Sequence, residues 1–216
     1  MRISGFSGDC GGISPVLGSI LLLLLVVLLS GIVVTTLYGG EFAEKTDRAF
    51  TYTPLAAVSI EKIVGGMPDN YQHQVRFEEN YVYLVHGSGD PLDLDSTFIV
   101  LEGEGSSYVG QVSAGGYFVG GDIVVTYHDL IPEGLDSGYS ANNPCAEDGI
   151  WSAGEVLILN GQDGLGNNSS VIVEANGEKT KNNYGFREGT TVTVKVIDFP
   201  TQRLISEDTA VVRSAD

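Results

Sequence analysis

Positive charge is what this sequence has least of: 11 Lys and Arg stand against 28 Asp and Glu in 216 residues, a formal net charge of −17 at neutral pH. That balance argues against nucleic acid or an anionic lipid surface as partner, since both require Lys and Arg to displace counterions. An acidic surface instead keeps a crowded exterior soluble and self-repelling. Cysteine is equally scarce, at positions 10 and 145 alone. Cys10 lies upstream of a long hydrophobic stretch, so a chain trimmed there has no disulfide framework. Cys145 has no second Cys or nearby His at ligand spacing, which leaves a loop thiol or an intermolecular partner rather than a zinc site. The three histidines, 73, 86 and 128, come with no Gly-x-Ser-x-Gly elbow, His-Glu-x-x-His pair or phosphate loop. No enzyme activity and no cofactor are therefore expected.

What the chain does have is concentrated apolarity. No charged side chain occurs between Asp9 and Glu41, and Val16 to Val34 is apolar on every face of a helical wheel, interrupted only by Gly18, Ser19, Ser30 and Gly31. A segment of this kind sits in lipid or inside an assembly. Read as one helix from Ser14 to Tyr38 it would run roughly 35 to 40 Å, enough to cross a bilayer. A secretory signal peptide has a shorter apolar core with its cut after it, and a lipoprotein has its Cys after the core; neither pattern is present. The junction Cys10-Gly11-Gly12-Ile13-Ser14-Pro15 places two glycines before the apolar run, where a peptidase can thread an extended chain. Ser14 suits an N-cap and Pro15 the first helical position.

Ser14-Pro15-Val16-Leu17-Gly18, at the head of this run, resembles the start of archaeal type IV pilins, and the resemblance covers roughly Gly11 to Gly39. It implies a leader of residues 1–12 removed between Gly12 and Ile13 by a prepilin-peptidase-like protease, with Gly11 as the alternative cut. It further implies a membrane and filament-core helix with connector over 13–50, an external β-rich head over 51–216, and assembly machinery that moves the subunit from the cytoplasmic membrane as a single-pass precursor into a surface filament. Cys10-Gly11 replaces the charged residues usual before the cut. The early helix Glu of bacterial pilins is also missing, Leu17 being nearest, so register would come from the small residues Gly18, Ser19, Ser30 and Gly31, which let helices approach closely.

From Ala56 onward short β-type runs alternate with Gly, Asn, Asp and Pro. Strands are expected at Ala57–Val64, Val75–Phe77, Tyr81–Val85, Thr97–Glu102, Ile123–Tyr127, Glu155–Asn160, Val171–Ala175, Thr191–Ile197 and Leu204–Val212. The fold expectation is α+β: a long N-terminal hydrophobic α-helix followed by a mainly antiparallel β-sandwich, Ig-like or pilin-type. Tyr83 to Leu92, with its His-Gly-rich-Asp-Pro turn, and Trp151 to Leu157 are loosely similar to turns of archaeal pilin heads. Asp90, Asp93 and Asp95 are oxygen donors but lack EF-hand spacing, and a solvated acidic loop is the plainer reading. Asn167 and Asn168 begin overlapping Asn-x-Ser triplets and are the glycosylation candidates.

The expectation is a structural subunit of an adhesive surface filament, a homopolymer joined through the N-terminal segment that waits in the membrane before assembly. The alternative is a permanently membrane-anchored extracellular binding protein with a β-sandwich head.

Overall fold

A computed structural model of the chain describes residues 18–27, 52–68, 76–110, 115–131, 137–164 and 170–215. The chain divides into two units, Met1–Phe50 and Thr51–Asp216. In the first, the described structure is one helix, α1, at residues 18–27. This corrects the expected long helix: at about 1.5 Å per residue, α1 is roughly 15 Å long, half the thickness of a bilayer core. Among the described residues no helix is long and apolar enough to cross a membrane. The expectation overshot because an all-apolar run has no periodicity, so hydropathy cannot mark where a helix stops. At the centre of the helix residues 21–25 are all leucine, which is not branched at Cβ and loses little rotamer freedom when helical.

The second unit is almost entirely β. Its strands are β1 (Ala56–Gly65), β2 (Tyr81–Gly89), β3 (Leu92–Asp93), β4 (Thr97–Val109), β5 (Tyr117–Tyr127), β6 (Ile150–Trp151), β7 (Val156–Asn160), β8 (Val171–Ala175), β9 (Glu178–Lys179), β10 (Gly185–Phe186), β11 (Thr191–Asp198) and β12 (Arg203–Ser214). A short helix, α2 (Ser137–Asn142), and a 3-10 turn (Pro144–Asp148) precede β6. Phe77, expected in a strand, lies in a 3-10 turn, Phe77–Glu79, and Val75 lies outside the described residues.

A two-sheet sandwich is not what these strands build. Ten of them form one sheet in the order β7-β2-β1-β12-β11-β4-β5-β8-β9, with β10 on β4. The join is a parallel pairing of the first and last strands, Ile63, Val64 and Gly65 against Val212, Arg213 and Ser214. Upstream of that weld, side chains span the gap: the Ile60 N–H donates to Asp208 Oδ2 (2.8 Å) and Ser206 Oγ to the Val58 carbonyl (2.8 Å). Sequence alternation reports which face of a strand is buried but not which strand lies beside it, so a weld between strands so far apart in the chain leaves no local signal.

The sheet curls back on itself into a half-barrel. Tyr127 on β5 reaches across the core to the end of β7, donating to Asp163 Oδ2 (2.9 Å), and its hydroxyl lies 3.3 Å from the Asn160 carbonyl and 2.9 Å from the Tyr184 hydroxyl. Both tyrosine hydroxyls are held far above the usual value, by burial first and by the Asp163 carboxylate second, so they stay protonated inside the core. The inward rows Val82, Leu84 on β2, Leu157, Leu159 on β7, Ile99, Leu101 on β4, Ile123, Val125 on β5 and Val192, Val194, Val196 on β11 join one apolar cluster. Each such side chain contributes about 1.5 to 3 kcal/mol relative to exposure.

The outer edge of β7 is closed by one side chain. Asn143 Nδ2 donates to the Ile158 carbonyl (2.8 Å) and its Oδ1 accepts the Ile158 N–H (2.6 Å), so the carboxamide stands in for a neighbouring strand. Its Nδ2 also reaches the Tyr139 carbonyl (3.0 Å), and the residue is fully buried. Replacing Asn143 by Leu leaves the half-buried Ile158 N–H and carbonyl without these partners, and urea unfolding is expected to show a loss of about 1 to 3 kcal/mol.

Candidate functional site

The most unusual surface on this chain is α1. Its residues Ile20 to Val27 are eight consecutive large apolar side chains, each between 55% and 68% exposed. A Cβ added at Gly18 would meet nothing within 4 Å. An α-helix presents successive residues about 100° apart, so a run of eight covers the full circumference, with no polar face to turn toward water. Such a rod is suited to being surrounded, either by hydrocarbon or by other rods. Of the residues in the start motif and packing set, Gly18 and Ser19 lie on α1. Gly12, Ile13, Ser14, Pro15, Val16, Leu17, Ser30 and Gly31 fall outside the described residues, as do Asn167 and Asn168.

In the second unit the two turn motifs meet at one corner. The His86 N–H donates to the Glu155 carbonyl (3.0 Å) and the Gly154 N–H to the His86 carbonyl (2.7 Å). The fully buried His86 ring lies edge-on to Trp151, with centroids 5.7 Å apart and planes at 83°. Its Nε2 is 2.9 Å from the Asp90 carbonyl, so Nε2 carries the proton, while Nδ1 is buried without a protein partner among the described residues. His86 thus ties a turn together. Among the described residues its ring makes no hydrogen bond to an acid or hydroxyl side chain.

Two of the acidic candidates, Asp90 and Asp93, use their carboxylates to accept backbone N–H groups. Asp90 Oδ2 accepts the Leu55 N–H (3.0 Å) and the Tyr52 hydroxyl (3.0 Å), while the Asp90 N–H donates to the Leu55 carbonyl (2.9 Å). The tight approach requires Gly89, at φ 110°, where a Cβ would lie 2.2 Å from the Leu55 carbonyl oxygen. Asp93 Oδ1 accepts the Asp95 N–H (3.2 Å), and the Asp93 carbonyl accepts the Thr97 hydroxyl (2.7 Å). Among the described residues no group of three His, Cys, Asp or Glu is gathered to hold a metal ion. Cys145 is half-buried and donates to the Val156 carbonyl (3.4 Å); burial, then the nearby Glu155 carboxylate, pushes its thiol up, which makes it a poor nucleophile.

No protein-family model matches the chain, and no curated protein matches it. The reading of its function rests on its own residues.

Sequence reasoning passed over one cluster, Lys62, Tyr81 and Arg213, because its members lie on three strands far apart in the chain. The available signal was the Tyr81-Val82-Tyr83 alternation, which places two aromatic rings on the outward face of a strand where polar residues are usual.

The Leu55 N–H first, then the Tyr52 hydroxyl, lower the Asp90 carboxyl below the usual value. A depressed carboxylate stabilises its clamp at pH values above the ordinary Asp range and loses it as pH falls through the lowered value. Hydrogen exchange at the Leu55 amide is therefore expected to be slow near neutrality and to lose protection in acid, while Asp90→Asn weakens protection already at neutral pH.

Proposed function

We propose that this protein is a structural subunit of an extracellular filament of the archaeal type IV pilus kind. On this reading the leader ending at Gly12 is removed, the apolar N-terminal segment is sheltered by the cytoplasmic membrane, and assembly transfers it into a core made of the same segment from many copies. The observation that carries the reading is the uninterrupted exposure of Ile20 to Val27 around the whole of α1. Leaving eight such side chains in water would cost on the order of 10 kcal/mol, so an isolated, water-borne subunit is strongly disfavoured.

Lipid and a bundle of like helices are about equally apolar, so preference for the bundle must come from packing. Gly18 and Ser19, the small residues at the start of α1, allow close backbone approach. A contact between different patches on successive copies need not close into a ring and so extends as an open helical polymer. The acidic second unit would form the exterior, where net negative charge keeps neighbouring filaments apart.

Protein sheared from cells without detergent is expected to yield an N-terminal sequence beginning at Ile13, and Leu23→Glu is expected to abolish sheared filaments while precursor remains in the membrane fraction. Material that begins at Met1 and leaves the membrane only with detergent would instead support a permanently anchored binding protein.

A further inference from the structure

The register of three strands brings two cations, Lys62 and Arg213, to one cleft of an acidic molecule. Val64 on β1 stands opposite Tyr81 on β2 and opposite Arg213 on β12, so Tyr81, Val64 and Arg213 form one cross-strand row. In the next row Lys62 pairs with Tyr83, its Nζ 4.2 Å from the centre of that ring. The rings of Tyr81 and Tyr83 lie 6.1 Å apart, tilted by 40°. Lys62, Val64, Tyr81 and Arg213 border an open cleft of about 780 Å³ whose wall also includes Ser214, Glu78 and Glu79.

The charges here are unevenly satisfied. Glu78 Oε1 is paired with the Arg76 guanidinium at 3.0 Å, whereas Glu79 Oε2 accepts only the Arg76 backbone N–H at 2.8 Å and keeps its charge at the cleft wall. Elsewhere on the sheet Arg187 pairs with Glu104 and Lys195 with Glu102. Among the described residues Lys62 and Arg213 have no such acidic partner. On a chain of net charge −17, two cations facing one carboxylate without a cationic partner, Glu79, leave a surplus of positive charge at this cleft, which marks a place for an anion brought by something else.

We propose that this cleft binds an acidic saccharide, with Lys62 and Arg213 on its carboxylate and Tyr81 against a sugar ring. Pyranose rings carry an apolar C–H face that packs on an aromatic side chain, and an open cleft with polar rims suits a hydrated ligand. Burial, with Tyr83, Asp163 and Glu78 adding to it, raises the Tyr81 hydroxyl above its usual value, so it remains a donor. An extended acidic peptide fits less well: β1 is already paired on both sides, with β2 and β12, and β2 with β1 and β7, so no strand edge is free here to add a peptide strand. The inference does not depend on how the chain assembles.

The test is calorimetric titration of the full chain, held in detergent micelles, with a hexasaccharide of alternating glucuronate and N-acetylglucosamine, with neutral maltohexaose and with a poly-glutamate peptide. The uronate hexasaccharide is expected to bind, to weaken as salt is raised, and to lose about tenfold or more in affinity with Lys62→Gln and Arg213→Gln together, the scale of a lost charge-assisted contact. Lys181→Gln, an exposed cation on another loop, is expected to change nothing, and Tyr81→Ala to weaken binding without altering its salt dependence. Near-UV circular dichroism confirms that each variant is folded. The proposal is overturned if the uronate does not bind, if maltohexaose binds equally well, if the double substitution in folded protein leaves affinity intact, or if poly-glutamate binds tighter than the saccharide.

Discussion

An apolar helix without a polar face imposes the constraint on which the rest of this molecule depends. Ile20 to Val27 offers water nothing to hydrogen-bond and offers the chain no side to keep wet. The core of the second unit is filled by its own strands, with Leu84, Leu92, Leu94, Ile99, Leu101, Ile123, Tyr127 and Trp151 all at 0% exposure. On the filament reading, cover for the helix comes first from lipid and then from other chains.

The second unit is organised in a way that suits such an arrangement. Sheets polymerise through exposed edges, and these edges are managed. Asn143 occupies the hydrogen-bonding groups of Ile158 on β7, and at the other end Thr180 and Asn182 bond the backbone of Val173 beyond the two-residue strand β9. Surface charge adds repulsion between like copies. On the filament reading, these covered edges leave the apolar segment as the element through which copies join. Within the curled sheet, the weld of β1 to β12 sets Val64 opposite Arg213, and the Asp90 clamp on Tyr52 and Leu55 ties down the residues through which the chain enters β1.

Much of the β structure was legible because strict alternation has a direct physical meaning. Thr191 to Ile197 buries every second residue as its pattern implies, and Val171–Ala175 appears with the expected bounds. Three features were not legible, each for a definite reason. The extent of α1 was misread because a stretch with no polar residue carries no phase. The single welded sheet was misread as a sandwich because the β1–β12 contact depends on the whole intervening fold. The Lys62, Tyr81 and Arg213 cluster was missed because a cross-strand row exists only once register is set. Asp90 was noticed for its charge, yet its two backbone contacts at Leu55 could not be foreseen from the sequence.

The claim that copies of the apolar segment cover one another is tested most directly by cross-linking. With Cys10 and Cys145 replaced by Ser, Leu24→Cys should, on oxidation of material sheared from cells, join chains in pairs through this position. Efficient dimers that vanish on reduction, and that disappear when the protein is dispersed as dilute monomer in detergent, are the predicted result. A Leu24→Cys thiol that stays monomeric in cells and reacts only with lipid-soluble reagents would contradict the account.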